Sequence, residues 1–299
     1  MKDTGIATDF PANVTDLRIG FIGAGRLGQA LALSLTRANL KVVGVSSKRQ
    51  ESAQVLADRI HACCCMQAQA LIDLCDLIFV TTPDSVIGQT CEGLRWRPGQ
   101  AVVHCSGVTE VDVLHHAFDQ GALIGGFHPM QTFGDTHAAV QSLPGCTITV
   151  EAEAPELMAS LLELVERLQC AANRLPSGMR GRYHAAAGYT SQFINALFDQ
   201  ATRLWQSWGA TEEEALRALL PLARGTLSAI QSAGVARGMP GPVSRGDLPS
   251  IEKHLQAIAP MGQAMLDFYK NLCAATVPLA HQAGGINSSK AQEFEKLLE

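Results

Sequence analysis

No apolar run in this chain of 299 residues approaches the roughly 18–20 residues that a membrane span needs, so no membrane partner is expected. Basic charge is not in excess either. Lys and Arg number 23 against 28 Asp and Glu, the formal net charge is −5 and the pI is near 6.0. That balance disfavours a protein that grips nucleic acid by neutralising phosphates. The nine cysteines contain no C-x-x-C pair, and no Cys/His group has zinc spacing, so no metal site is expected. Cys75, Cys105 and Cys170 stand in apolar segments, where thiols act as small hydrophobes in a reduced, cytoplasmic protein. No internal repeat or low-complexity tract occurs. Residues 1–16 lack both a basic start and an apolar stretch, which argues against a secretory signal and for a flexible leader.

What is present is a globular composition, 47% hydrophobic and 17% charged, with length enough for two domains. Apolar strands at 17–22, 41–46, 62–65, 77–81, 101–104 and 123–127 alternate with helical patterns at 26–39, 51–60 and 111–120. A strand at 146–150, a helix at 155–168 and a short strand at 171–175 extend the same sheet. Unbroken apolar strands between helices predict an α/β domain over 17–175, a doubly wound, mostly parallel Rossmann sheet. From 176 to 299 no convincing strand occurs, and helical patterns at 181–208, 211–232, 251–281 and 288–298 predict an all-α domain. Thr211 and Glu214 form a capping box that fixes one helix start, and a Gly/Pro-rich loop at 238–249 separates two helices.

Gly23-Ala24-Gly25-Arg26-Leu27-Gly28 fits G-x-G-x-x-G, directly after an apolar strand and at the opening of a helix. In that context Gly23 permits the turn, Gly25 admits a pyrophosphate and Gly28 allows close helix–strand packing, while the helix start offers N–H groups to the phosphates. An ordinary Gly-rich turn is the bland alternative. The end of the second strand reads Ser46-Ser47-Lys48-Arg49 and lacks the carboxylate that would bind a ribose 2′-hydroxyl. Hydroxyls and positive charge there suit a 2′-phosphate, so NADP is the expected cofactor; a solvated basic turn is the other reading. Thr82-Pro83, Ser106 and His128 end three further strands at the same carboxyl edge, where open α/β sheets bind ligands.

Three spans carry a family resemblance: Gly125-Gly126-Phe127-His128-Pro129-Met130-Gln131-Thr132-Phe133, Tyr183-His184-Ala185-Ala186-Ala187, and Gly241-Pro242-Val243-Ser244-Arg245-Gly246-Asp247. In this order they resemble the bacterial family that pairs a Rossmann-like domain with "domain of unknown function 2520". That family looks like a distant relative of the 6-phosphogluconate, 3-hydroxyisobutyrate, pyrroline-5-carboxylate and ketopantoate reductase group. The resemblance implies a helical second domain like the C-terminal domain of 6-phosphogluconate dehydrogenase, a homodimer formed through it, and a site in the cleft between domains. It covers nearly the whole chain after residue 17. One departure stands out. In the hydroxyacid dehydrogenase relatives the first long helix after the sheet carries a catalytic Lys, and residues 182–208 contain none.

On a continuous helix over 181–208, His184, Gly188, Ser191, Gln192 and Asn195 share one face. His184 suits a general acid for hydride transfer to a carbonyl, because imidazole titrates near ~6.5. His128 is the competing acid or a structural residue, and Gln192 completes the candidate catalytic set. Ser191 and Asn195 are candidate substrate ligands, with helix–helix hydrogen bonding at a dimer interface as the alternative. Arg245 is the candidate grip for an anionic substrate, against an internal pair with Asp247. Two functions remain open at this point: an NADP-dependent oxidoreductase of a small carbonyl or imine compound, and an NADP(H)-binding sensor or scaffold without turnover.

Overall fold

A computed structural model describes residues 10–134 and 136–299, without the side chains of residues 136 and 137. Contacts divide the chain into two compact units, Met1–Ser191 and Gln192–Glu299. The boundary thus falls after residue 191 rather than at 175, because the first helix past the sheet packs with the sheet.

Among the described residues the first unit contains eight strands and eight α-helices. They run β1 (Arg18–Ile22), α1 (Arg26–Arg37), β2 (Lys41–Ser46), α2 (Gln50–Asp58), β3 (Cys64–Cys65), α3 (Ala68–Leu74), β4 (Leu77–Val80) and α4 (Ile87–Glu92). Then come β5 (Ala101–His104), α5 (His115–Asp119), β6 (Leu123–Pro129), α6 (Thr136–Ser142), β7 (Thr147–Ala152), α7 (Pro155–Arg167), β8 (Ala171–Arg174) and α8 (Arg180–Thr190). The strand order is β3-β2-β1-β4-β5-β6-β7-β8. Every pair is parallel except β6 with β7. Chain order reverses between β1 and β4, so the crevice at their carboxyl ends is the ligand position of a doubly wound sheet.

Both faces of the sheet are covered, which is why its strands read as continuous apolar runs. Leu77 and Phe79 of β4 face one core with Ile19, Phe21, Val45 and Val103, under α1, α2 and α7. Ile78 and Val80 face the other, under α3 and α5. Phe21 stacks on Phe79 at 5.1 Å, and Phe79 meets Phe127 edge-on at 5.3 Å. Part of the expected leader belongs to this core: Phe10 and Val14 are buried in it, while residues 1–9 lie outside the described residues. Cys75 and Cys105 are buried, as apolar filling requires, and Cys170 is half-buried with its Sγ 3.1 Å from the Leu143 carbonyl oxygen.

The second unit is helical: α9 (Gln192–Gln206), α10 (Glu212–Ala233), α11 (Leu248–Ile258), α12 (Gln263–Gln282) and α13 (Ser288–Leu298). The capping box forms, with Glu214 N–H donating to Thr211 Oγ1 at 3.2 Å and Thr211 N–H donating to Glu214 Oε2 at 2.9 Å. Two expected long helices are broken. The 181–208 helix ends at Ser191, whose φ of −126° and ψ of −90° leave the helical region and separate α8 from α9. The 251–281 helix is interrupted at Ala259–Met261, where Pro260 offers no N–H and Gly262 takes φ +113°. Among the described residues no helix is long and apolar enough to cross a membrane.

Candidate functional site

The turn after β1 is built by glycines with different reasons to be there. Gly23 has φ +114°, and a Cβ on it would meet the Thr81 backbone at 2.7 Å. A Cβ on Gly28 would collide with the Gly23 carbonyl oxygen and stand 2.6 Å from Thr81 Oγ1. That hydroxyl donates to the Gly23 carbonyl at 2.8 Å and ties β4 to the turn. Gly25 is the exception: a Cβ there would touch nothing within 4 Å. No protein contact demands a glycine at this exposed position, which leaves room for a molecule to approach the backbone. No side chain caps α1, which leaves its first N–H groups pointing at the same space. Ala24 and Leu27 pack into the core, while the Arg26 guanidinium donates from Nη1 to the Gly134 carbonyl at 3.1 Å.

At the end of β2, the Ser46 carbonyl accepts the Gly23 N–H at 2.8 Å, coupling the two turns. Lys48 and Arg49 are exposed and form no ion pair with the described residues, and no side chain caps α2 behind them. Uncommitted positive charge beside a helix start suits a phosphate. Past β4, the Oγ1 of Thr82 is buried with no hydrogen-bond partner among the described residues, and Pro83 leads into a 3-10 turn at Asp84–Val86.

The imidazoles stand further along this edge. His128 Nδ1 lies 2.7 Å from the Tyr183 hydroxyl, with the two rings edge-on at 5.5 Å. The His184 ring is 6.2 Å from that of His128. Gly107, at the end of β5, is the floor under both: its Cβ would lie 2.5 Å from His184 Cδ2 and 2.9 Å from His128 Nε2. Burial, then the neighbouring charges of His184 and Arg180, push the His128 pKa down to about 4. His128 is therefore neutral near pH 7. The donor and acceptor roles follow the tautomer: where the tyrosine hydroxyl donates to Nδ1, the ring proton sits on Nε2. His104 on β5 is fully buried and pushed to about 3, first by burial and then by Arg180; its Nδ1 accepts the Ser106 N–H at 3.2 Å.

Ser106 is engaged within its own loop. Its hydroxyl donates to Thr109 Oγ1 at 2.9 Å and accepts the Thr109 N–H at 3.0 Å, so it shapes the loop that presents Gly107. Its carbonyl accepts Arg180 Nη1 at 2.7 Å. Arg180 has no solvent exposure and also donates from Nε to Glu151 Oε2 at 2.7 Å. Glu110 accepts the N–H groups of Gly178 at 3.1 Å and Arg180 at 3.2 Å. These bonds seat α8 on the sheet and carry Tyr183 and His184 to the edge. Periodicity gives no sign of Arg180 or Tyr183 as site-building residues.

The polar stripe expected on one long helix does not survive the break at Ser191, whose hydroxyl donates to the Ala187 carbonyl at 2.7 Å. Gln192 and Asn195 belong to α9 of the second unit, where both are exposed. Arg245 is also exposed there, in a 3-10 turn at Val243–Arg245. The Arg245–Asp247 pair does not form: Asp247 instead caps α11, accepting the Ser250 N–H at 3.2 Å and its hydroxyl at 2.6 Å.

A two-faced, doubly wound sheet with a glycine turn and imidazoles along one edge defines a Rossmann-type protein. Residues 4–129 match the family described as a Rossmann-like domain, and residues 146–276 match the domain of unknown function DUF2520. The two matches follow one another along the chain. A Bacteroides fragilis protein provisionally described as an NADP oxidoreductase is similar at 26% identity and a TM-score of 0.72, over 89% of this chain and 100% of that one. A reductive aminase from Aspergillus terreus, solved with NADPH and ethyl-5-oxohexanoate, has a TM-score of 0.59 at 16% identity, over 94% of this chain and 92% of that one. Plasmodium falciparum pyrroline carboxylate reductase with NADP bound has a TM-score of 0.57 at 11% identity, over 90% of this chain and 100% of that one. The last two speak for the fold alone. No curated protein sequence matches the chain.

Proposed function

We propose that this protein is an NADP(H)-dependent oxidoreductase that reduces a small carbonyl or imine compound. The observation that carries the reading is one sheet edge holding both a glycine turn before an uncapped helix start, with Gly25 exposed, and an imidazole, His128, that is neutral near pH 7. Gly23 to Gly28 would hold the pyrophosphate, and Lys48 and Arg49, with Ser47, the 2′-phosphate. NADPH, when bound, supplies the hydride. His128 Nε2–H donates a hydrogen bond to the substrate oxygen or nitrogen, and Tyr183 fixes the ring and its tautomer. His184 is the proton source beside it, and Arg245 is the candidate grip if the substrate is anionic. The absence of Lys from residues 182–208 favours a second reading, an NADP(H)-binding sensor. A screen of 2-oxo acids, aldehydes and cyclic imines, followed by NADPH absorbance, separates the two. Tight binding with no turnover across the panel would support the sensor.

Two substitutions test the cradle. Gly25→Ala is expected to cost at most about 1 kcal/mol of stability, an N-cap preference, yet to weaken NADPH binding at least about tenfold. Gly28→Ala should instead destabilise the fold by about 1–3 kcal/mol through the clash with Gly23. Unchanged NADPH affinity in Gly25→Ala would remove the pyrophosphate from this turn. For the 2′-phosphate, Lys48→Ala with Arg49→Ala should cut the preference for NADPH over NADH by about 10–100-fold in fluorescence titrations. A parent protein that binds NADH more tightly overturns the assignment.

We also infer a homodimer through the helical unit. Ala215 is the only buried residue of the 22 in α10, and Leu220, Leu222 and Leu227 are exposed. A monomeric mass at micromolar concentration would contradict this. Nine free thiols fit a reducing, cytoplasmic setting.

A further inference from the structure

A cavity of about 500 Å³ opens in the first unit where β6 begins and β7 ends. Phe118, Leu123, Met158 and Leu175 give it apolar walls, and Asp112 and Glu153 also line it. It is not the dinucleotide site. Leu123 starts β6 and His128 lies five residues further on, so at ~3.3 Å per residue roughly 16 Å of strand separates the cavity from the imidazole edge. The glycine turn after β1 lies on that far edge too, because β1, β4, β5 and β6 are all parallel.

The lining has an unmet charge. Asp112 and Glu153 are exposed and form no ion pair with the described residues. Glu151, which also lines the cavity, is already engaged by the Arg180 guanidinium. The Phe118 ring beside them is 58% exposed, an apolar surface left in water next to uncompensated carboxylates. Anions are repelled by such a lining, and a wholly apolar ligand leaves the carboxylates without a partner. His115 lines the cavity too, its Nδ1 3.1 Å from the Asp112 carbonyl oxygen, and volume, apolar walls and a few convergent polar groups are the attributes of a small-molecule site.

We propose that this cavity binds a small primary amine with an apolar body, its ammonium facing Asp112 and Glu153 and its body against Phe118 and Met158. The claim is independent of the reductase reading. Its occupant would also touch Pro176 and Ser177, which lead into α8.

The test is calorimetric titration of the full chain with 2-phenylethylamine, with 2-phenylethanol and 3-phenylpropionate as neutral and anionic counterparts. The amine is expected to bind one per chain, at least about fivefold more tightly than either counterpart, and equally well in the presence of saturating NADPH. Asp112→Asn with Glu153→Gln should weaken it by about fivefold, as expected for exposed ion pairs. Met158→Trp should abolish it by filling the cavity. If Met158→Trp does not fold, the double substitution at two exposed positions carries the test alone. No preference for the amine, affinity unmoved by the double substitution, or displacement by NADPH overturns the proposal. Binding that disappears in His128→Ala places the amine at the imidazole edge and overturns it as well.

Discussion

Arg180→Leu is expected to lower the unfolding free energy by about 3–5 kcal/mol, a large share of the stability of most domains. The guanidinium has no solvent exposure and donates 2.7 Å bonds to the Glu151 carboxylate and the Ser106 carbonyl. Leucine would leave Glu151 buried, charged and unpaired, and would orphan the carbonyl of the loop that presents Gly107. The cost is therefore chiefly the stranded carboxylate rather than the value of the ion pair. Arg180→Leu combined with Glu151→Leu should recover much of the loss, because no charge is then stranded. Urea titration of Arg180→Leu, Glu151→Leu and the double variant measures this directly. A single-mutant loss below about 1 kcal/mol, or a double mutant worse than the sum of the singles, would show that the pair does not hold α8. Gly126 has its own part here: a Cβ on it would run into Arg180 Nη2, so the guanidinium lies flat over β6 only because that residue is glycine.

The contrast between Arg180 and the glycine turn shows what the sequence made legible. Strands β1, β2, β4 and β5 are short apolar runs buried on both faces, and such runs announce themselves without knowledge of their partners. The G-x-G-x-x-G turn is equally local. Arg180 and Glu151 are 29 residues apart, and His128 and Tyr183 are 55 apart, so their pairing exists only once β6, β7 and α8 are assembled. Helices α3, α4 and α6, of seven, six and seven residues, are too short for a 3.6-residue period to emerge. The break at Ser191 has no proline or glycine to mark it, whereas Pro260 and Gly262 do mark the other break. The second break is therefore readable from backbone chemistry, and the first is not. The polar stripe failed for this reason: it assumed that a period continues where the backbone leaves the helical region.

His128→Ala is expected to lower turnover at least ~100-fold, and Tyr183→Phe to lower it less while leaving NADPH affinity intact. The pH profile distinguishes a neutral hydrogen-bond donor from a cationic acid. Burial, followed by the charges of His184 and Arg180, takes the pKa of His128 from 6.5 to about 4. Its neutral form thus persists through the weakly acidic range. If neutral His128 acts, kcat/KM should show no inflection from this group near 6.5 and should fall only as the pH approaches 4. The same displacement acts on stability. Between 6.5 and about 4 the unfolded chain binds the proton that folded His128 refuses, and His104, pushed to about 3, adds to the effect. The stability contributed by keeping both rings neutral is fully present above 6.5 and is lost as the pH falls, so acid should loosen the fold over the range in which activity persists. Substituting His128 by phenylalanine should flatten the His128 part of that decline while abolishing turnover. Turnover that survives His128→Ala would remove this imidazole from the reaction.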